Sequence, residues 1–261
     1  MISSILFDLD DTLIVELKSA EESFIETVGQ IDYDIDTGEF LECIREQAKE
    51  IWYKLPTIDY CLKIGISSWE ALWADFTGND EHFKKLQDLA EHYRFETWNK
   101  TLIKLNINNP DIAFKLSNDF KRIRNTKHEL YPDAKETLDI LKQHYKLGLI
   151  TNGAPDLQWK KIHGGNLENY FDCIAISGEY GYGKPDARLF QVVLDGLKAE
   201  KRNSIMVGNN LNSDIKGAQD IGIKTIWINR INGDSGNIKP DYTVDSLKRI
   251  YGIIIAQDNT K

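Results

Sequence analysis

The segment 8–12, of sequence DLDDT, places three carboxylates directly after an apolar run that is predicted to be a strand. Asp8 and Asp10 lie two residues apart, so an extended backbone would direct both side chains to the same side. Like charges held this close repel each other unless a cation lies between them, and Mg²⁺ prefers such oxygen ligands. Acidic residues also end strands and begin turns for local hydrogen-bonding reasons, so this segment alone leaves both interpretations open.

Two further polar segments follow apolar runs later in the chain. Thr151 and Asn152 belong to one of them, and their hydroxyl and amide groups could donate hydrogen bonds to phosphoryl oxygens. In the other, Lys184 precedes Pro185, and its ammonium could neutralise both a phosphoryl group and an attacking carboxylate. Pro185 suits an early helical position. Each segment also has a purely structural interpretation, an Asn-Gly turn in one case and a solvated surface lysine in the other.

A fourth polar segment follows another apolar run and contains Asn209 and Asp214. Both side chains could offer oxygen atoms to a metal ion or to its water ligands. The alternative is local, because Asp214 or Ser213 could cap the following helix. Residues 178–184 match the GxxxxGK spacing of a P-loop, but Pro185 has no hydroxyl to bind Mg²⁺, which disfavours a P-loop nucleotidase.

Short apolar runs precede all four segments. Such runs are typical of strands that are buried on both faces of a parallel sheet. They occupy residues 5–7, 147–150, 174–176, 205–207 and 225–228. Helical patterns over 134–145, 187–197 and 214–222 lie between or beside the later runs. This alternation predicts βαβ units and an α/β domain.

The region from about residue 14 to residue 128 has a different pattern, with apolar residues at helical spacing and few strand signals. One stripe runs through residues 40–55 and another through 83–93, and Asn109-Pro110 is typical of a helix start. The sequence therefore predicts a helical block inserted directly after the first strand. Its aromatic residues are expected to form core, and its basic residues 121–127 a solvated helix face.

Taken together, the four polar segments resemble the motifs of the haloacid dehalogenase superfamily. These motifs are DxDxT after the first strand, Thr or Ser after the second, Lys before Pro, and a final acidic loop. The resemblance implies an α/β fold with a Rossmann-like parallel sheet core and an inserted α-helical cap domain. The core is expected to span residues 1–14 and 129–261, and the cap residues 15–128.

The same resemblance implies that Asp8 is a nucleophile that attacks a phosphoryl group, and that Asp10 is the general acid and base. Thr151 and Lys184 are expected to be catalytic, and together with Asn152 they would bind the substrate. The implied cofactor is Mg²⁺, which would bridge phosphate and protein oxygens. Its expected ligands are Asp8, Asp10 through its main-chain carbonyl, Asn209 and Asp214.

The expected function is a Mg²⁺-dependent phosphomonoesterase that acts on a small phosphorylated metabolite through an aspartyl-phosphate. Residues 225–230 are similar to the corresponding stretch of N-acylneuraminate phosphate and nucleoside monophosphate phosphatases, which favours a sugar phosphate or a nucleoside monophosphate. Phosphatases of the superfamily usually carry Asp where this chain has Asn209, so the metal site should be weaker. A weakened binding or regulatory protein, a phosphomutase and a dehalogenase are the alternatives, although dehalogenases lack an acid at the position of Asp10.

The composition narrows the possible partners and locations. The 261 residues contain 32 Lys and Arg against 41 Asp and Glu, a net charge of −9, which disfavours nucleic acids and anionic membranes as partners. No apolar run approaches the roughly 18 residues of a membrane span, and signal-peptide features are missing. Three cysteines without a CxxC pair suit reduced thiols. These features predict a cytoplasmic protein. The aromatic residues of the helical block leave room for a dimer, so either a monomer or a homodimer is expected.

Overall fold

The computed structural model describes residues 1–78 and 80–258. Residue 79 of the predicted cap and residues 259–261 of the predicted core therefore lie outside the described part. The chain divides into two compact units. The α/β unit consists of Met1–Val15, Glu129–Asn152 and the described residues from Gly165 onward, and the helical unit consists of Glu16–His128 and Gly153–Gly164.

The α/β unit is built on a parallel six-stranded sheet, which confirms the predicted fold class. Its strands are β1 (Ser4–Phe7), β2 (Lys146–Thr151), β3 (Cys173–Ile176), β4 (Ser204–Gly208), β5 (Lys224–Ile228) and β6 (Tyr242–Val244). Their order in the sheet is β3-β2-β1-β4-β5-β6. The order reverses between β1 and β4, and ligands of open α/β sheets bind at the carboxyl ends of the strands beside such a reversal.

Eleven α-helices are described, in chain order. They are α1 (Glu16–Val28), α2 (Thr37–Trp52), α3 (Ile58–Ile64), α4 (Glu81–Lys104), α5 (Pro110–Arg124), α6 (Ala134–Leu141), α7 (Pro155–Gly164), α8 (Ser177–Tyr180), α9 (Ala187–Leu197), α10 (Gly217–Asp220) and α11 (Ile250–Asp258). Those of the helical unit are α1 to α5 and α7. Among the residues described, no helix combines the length and the apolar character that a membrane crossing requires.

The apolar runs explain why the sheet forms where it does. β1 and β4 are buried along their whole length, and Phe7 lies opposite Leu149 of β2 and Val207 of β4. All five predicted strands are present. β6 was not predicted, because Tyr242 and Thr243 are not fully buried and the strand lacks an apolar run.

Two predicted helices differ from the observed ones. The helix predicted over 134–145 ends at Leu141, because the chain must enter β2 at Lys146. The helix predicted over 214–222 begins earlier, as a π-helix over Leu211–Lys216 that continues into α10. Pro185 lies outside α9, whose N-cap is Asp186.

The helical unit is held together by its aromatic residues, as the helical spacing predicts. The rings of Phe24 and Phe120 stack with centroids 4.1 Å apart, and Trp98 packs beside both and is fully buried. Aromatic pairs of this kind stabilise a core beyond the area that they bury. Asn109 caps α5 by accepting a hydrogen bond from the amide of Ile112 at 3.2 Å.

Residues 153–164 belong to the helical unit by their contacts, whereas the boundaries predicted from the sequence assign them to the core. The amide of Gly153 donates to the carbonyl of Ile64 at 3.1 Å. The carboxylate of Asp156 accepts from the amides of Asp75 at 2.8 Å and Phe76 at 3.1 Å. These partners are more than 70 positions away in the sequence, so the local pattern carries no sign of this grouping.

Candidate active site

The four polar segments meet at the carboxyl edge of the sheet in the α/β unit. Asp8 follows β1, Thr151 ends β2, and Asn209 follows β4. Parallel strands in the observed register bring these ends to one edge. Lys184, from the loop that precedes α9, extends to the same place and contacts Asp8.

Asp8 is only 7% exposed and is held at both carboxylate oxygens. Lys184 Nζ donates to Oδ1 at 2.5 Å, and Thr12 Oγ1 donates to Oδ2 at 3.0 Å. The pKa of Asp8 is raised to about 7, chiefly by burial and then by the charge of Asp214, with a smaller contribution from Asp10. Lys184 acts in the opposite direction but does not cancel these effects. The site thus contains more negative charge than its lysine balances.

Lys184 is buried rather than solvated, so the functional interpretation of this residue is favoured over a surface lysine. Its ammonium lies between two carboxylates, 2.5 Å from Asp8 Oδ1 and 2.8 Å from Asp214 Oδ1. Burial by itself lowers the pKa of a lysine, but the charges of Asp214 and Asp8 outweigh burial and raise the pKa of Lys184. Lys184 therefore remains a cation at neutral pH.

Asn152 uses both ends of its side-chain amide on the backbone of Lys184. Its Nδ2 donates to the Lys184 carbonyl at 2.8 Å, and its Oδ1 accepts from the Lys184 amide at 2.7 Å. Gly183 is needed for this approach, because a Cβ there would lie 2.6 Å from Asn152 Oδ1. Asn152 therefore holds the backbone that carries Lys184 in place, a role that the sequence pattern did not reveal.

Asp10 follows β1 and Thr151 ends β2, so both belong to the same edge of the sheet as Asp8. Asp10 is partly buried, and its charge is near enough to raise the pKa of Asp8. β1 ends at Phe7, so Asp8 and Asp10 do not share one continuous strand, and Asp11 adopts a left-handed conformation with φ of 53°. Thr151 is fully buried at the end of β2.

Asp214 is fully buried and its oxygens are occupied by protein donors. Oδ2 accepts from the amide of Asn210 at 2.9 Å, and Oδ1 contacts Lys184 and the Ser213 hydroxyl. The local capping interpretation placed the cap on Ser213 or Asp214. That assignment was wrong, because the Asn210 side chain accepts from the amides of Asn212 and Ser213 and caps the helix instead.

Asn209 is held through its main chain and faces Thr12 with its side chain. Trp227 Nε1 donates to the Asn209 carbonyl at 2.8 Å. The amide oxygen Oδ1 of Asn209 lies 3.5 Å from Thr12 Oγ1, the hydroxyl that also binds Asp8. Thr12 belongs to DLDDT and Trp227 to the stretch 225–230, but nothing in the sequence shows that they contact Asn209.

Arg230 contacts both Asp133 and the main chain of Thr12, and the sequence did not reveal these contacts. Its guanidinium binds both oxygens of Asp133 at 2.9 and 3.2 Å and lies 3.8 Å above the ring of Tyr131. One nitrogen also lies 3.4 Å from the main-chain carbonyl of Thr12. Asp133 and Arg230 are 97 positions apart, so no local signal connects them.

Oxygen donors suited to Mg²⁺ are present at this site, although no three His, Cys, Asp or Glu side chains in the described residues converge as a metal site. Mg²⁺ usually keeps several waters and needs only one or two carboxylates from a protein. Asp8 and Asn209 offer oxygens that contact the same Thr12 hydroxyl. Burial, and then the charge of Asp214, raise the pKa of Asp8 in spite of Lys184, so a further positive charge would favour its ionised form. The donor set therefore fits a hard divalent cation.

A second buried ion cluster lies in the helical unit. Lys161 Nζ lies 3.0 Å from Glu70 and 3.4 Å from Glu16, and Arg124 also pairs with Glu16. The guanidinium of Arg124 stacks 4.6 Å from the ring centre of Trp73. Arg124 was expected on a solvated face, but it is fully buried, because these partners satisfy its charge inside the unit.

Comparisons with known proteins agree with this fold. Residues 2–222 match the family described as haloacid dehalogenase-like hydrolase. The phosphoserine phosphatase of Thermus thermophilus is 30% identical, over 95% of this chain and 97% of its own length. N-acylneuraminate-9-phosphatase of Rattus norvegicus is 26% identical over 98% of this chain and 95% of its own. Pyrimidine 5'-nucleotidase YjjG of Escherichia coli is 30% identical over 69% of this chain and 76% of its own length.

Solved structures give the same result for the fold. The magnesium-bound structure of the HAD-hydrolase YfnB from Bacillus subtilis has a TM-score of 0.68 at 20% identity, covering 97% of this chain and 98% of that one. A 2-haloacid dehalogenase from Pseudomonas syringae has a TM-score of 0.61 at 21% identity, covering 98% of this chain and 100% of that one. The family match over residues 2–222 confirms the resemblance that the four polar segments indicated.

Proposed function

Because the chain belongs to the haloacid dehalogenase-like hydrolases, we propose that it is a Mg²⁺-dependent phosphomonoesterase that transfers a phosphoryl group from a small metabolite to Asp8 and then to water. One observation carries the proposal: the buried Asp8 carboxylate is bound by Lys184 at 2.5 Å and by Thr12 at 3.0 Å. The named phosphatases that align with nearly the whole chain support the same reaction class.

In the first half of the reaction, a carboxylate oxygen of Asp8 attacks phosphorus. A P–O bond to Asp8 forms, and the P–O bond to the leaving alcohol breaks. Asp10 donates its proton to the departing oxygen as a general acid. The proximity of Asp10 to the nucleophile, expressed in its effect on the pKa of Asp8, supports this assignment.

In the second half, Asp10 accepts a proton from a water molecule that attacks the same phosphorus. The bond from phosphorus to Asp8 breaks, which releases inorganic phosphate and restores the Asp8 carboxylate. Asp10 ends the cycle protonated, as it began. The chain therefore needs no further co-reactant than water.

Lys184 supports both halves by its charge. Its ammonium favours the ionised, nucleophilic form of Asp8 and would neutralise the transferring phosphoryl group. Asp214 keeps Lys184 protonated in its buried position, and Asn152 fixes the backbone that carries it. The Thr151 hydroxyl, at the end of β2, is the proposed additional donor to phosphoryl oxygens.

Mg²⁺, when bound, would stabilise the negative charge that accumulates during transfer. The residues that would hold it are Asp8, the Asp10 carbonyl and Asn209, with Asp214 acting through its water ligands. The substitution of an amide for the usual carboxylate at 209 lowers the charge of this set. We therefore expect activity to need more Mg²⁺ than in a relative with Asp there.

The proposed substrates are sugar phosphates and nucleoside monophosphates. Relatives that are named for phosphoserine, an acylneuraminate phosphate and a pyrimidine nucleotide define the panel to be tested. Dehalogenases appear among proteins of similar fold. The acid at position 10 favours phosphate chemistry over dehalogenation, since the leaving alkoxide of a phosphate ester requires a proton. We also retain the cytoplasmic location and a monomer or homodimer as predictions.

The decisive experiment is phosphate release from an aryl phosphate and from this panel, with Mg²⁺ and with a chelator. Asp8→Asn should abolish release, and borohydride reduction during turnover should convert Asp8 to homoserine by reducing its acyl phosphate. The matched control is Asp11→Asn, because Asn tolerates the left-handed conformation of residue 11. Turnover that survives Asp8→Asn would exclude the mechanism, and exclusive formation of an isomeric phosphate ester would identify a mutase.

A further inference from the structure

Trp227 connects β5 to the loop that follows β4. The residue is only 7% exposed, and in the register of the sheet it lies opposite Gly208. Its single donor, Nε1, binds the main-chain carbonyl of Asn209 at 2.8 Å. A buried indole that makes one hydrogen bond fixes its partner more strictly than an apolar contact does, because the bond specifies direction.

This bond holds Asn209, the residue that stands where phosphatases of the superfamily usually have Asp. The Asn209 carbonyl is held by Trp227, while the next residue, Asn210, is held by Asp214 through its amide at 2.9 Å. These two bonds hold the peptide group that joins Asn209 to Asn210, and the Asn209 side chain beside it extends toward Thr12, with its Oδ1 3.5 Å from the Thr12 hydroxyl. That hydroxyl also binds Asp8.

We propose that Trp227 is a positioning residue for the divalent cation, and that its indole N–H directs the amide oxygen of Asn209 toward the cation site. The inference deepens the proposed function and rests on its Mg²⁺ requirement. A neutral amide attracts a cation less than a carboxylate does, so its contribution depends more on correct placement. The net value of such a hydrogen bond is about 1 kcal/mol, so its loss can change Mg²⁺ affinity by at most about fivefold.

Trp227→Phe isolates this role, because it keeps an aromatic ring in the core and removes the donor. Isothermal titration of Mg²⁺ into the full chain without substrate should give a dissociation constant that is higher for Trp227→Phe than for the wild type, by up to about fivefold. The matched control is Ile226→Val on the same strand, a fully buried site where lost packing should leave Mg²⁺ affinity unchanged.

A second measurement uses the unchanged protein. In a ¹H–¹⁵N spectrum, the Trp227 indole signal, one of six tryptophan signals, should shift on Mg²⁺ addition, since its partner carbonyl belongs to the residue that binds the ion. Equal affinities of the wild type and Trp227→Phe, or an indole signal that does not respond, would overturn the inference. Absence of Mg²⁺ binding by the wild type would instead reject the metal requirement of the proposed function, which the Asp8→Asn assay tests separately.

Discussion

Each of the two units buries a lysine among carboxylates, and the two clusters differ in charge balance. In the α/β unit, Lys184 faces Asp8 and Asp214, with Asp10 nearby. In the helical unit, Lys161 and Arg124 together face two glutamates. One cation therefore meets an excess of acids in the first cluster, whereas cations and acids are equal in number in the second.

The pKa values of the acids record this difference. The pKa of Asp8 is raised to about 7, because burial and neighbouring carboxylates outweigh Lys184. The pKa of Glu16 is lowered, because Lys161 and Arg124 outweigh its burial. In a charge-balanced buried cluster, removal of one partner leaves the other charge uncompensated, whereas a cluster that lacks positive charge is suited to a cationic ligand. This contrast is the physical basis for locating the proposed site in the α/β unit.

The largest expected effect comes from Asp8→Asn. It should lower turnover by at least about 10³-fold, since the nucleophile is lost. In metal-free buffer at pH 7 its melting temperature should be equal to or above that of the wild type, because a carboxylate held among like charges is removed. Thermal unfolding with a chelator measures this. A clearly lower melting temperature would mean that the cluster is balanced after all.

Glu16→Gln should have the opposite effect on stability. It removes the acid shared by Lys161 and Arg124, and breaking a buried pair costs about 3 kcal/mol of unfolding free energy. Denaturant unfolding provides the measurement. Glu26→Gln is the matched control, because its ion pair with Lys127 is more exposed and should be worth less than about 1 kcal/mol. Equal losses for the two variants would show that the buried cluster has no special role.

The two clusters should also respond oppositely to pH. Glu16 has a lowered pKa, so its contribution to stability is present above about pH 4.5 and is lost as pH falls through its folded value. Asp8 has a raised pKa, so its contribution is greatest below about pH 4 and is lost as pH rises toward 7. Each effect is at most about 1.4 kcal/mol per pH unit. Denaturant unfolding from pH 3 to 8 in metal-free buffer measures both effects. Asp8→Asn should remove the loss of stability that occurs as pH rises toward 7, and Glu16→Gln should remove the loss that occurs at acid pH.

The smallest expected effect comes from Asn209→Asp. A carboxylate at this position would restore the missing negative charge and should lower the Mg²⁺ concentration for half-maximal activity by about 3- to 10-fold. Titration of Mg²⁺ in the phosphate-release assay measures the change. Asn212→Asp, at an exposed position in the first turn of the following π-helix, controls for a general effect of charge. An unchanged requirement in Asn209→Asp would remove this residue from the cation site.

The elements were predictable, and candidate site residues could be proposed, because the signals for both are local. Buried strands appear in the sequence as apolar runs. Asn109-Pro110 predicts the start of α5, and Asn109 caps that helix in the structure. The acids of DLDDT, Thr151 and Lys184 stand directly after or near strands whose carboxyl ends must meet in a parallel sheet. For that reason the α/β class followed from the apolar runs, and the family from the resemblance of the four polar segments to its motifs.

The contacts that tune these residues depended on the tertiary structure alone. Asn152 binds the backbone of Lys184, 32 positions away, and Trp227 binds Asn209, 18 positions away. Arg124 is buried rather than solvated because Glu16, 108 positions away, compensates its charge. Side-chain charge and hydrogen-bonding capacity are properties of the sequence, but their partners are chosen by folding, since burial and proximity between distant segments have no local pattern.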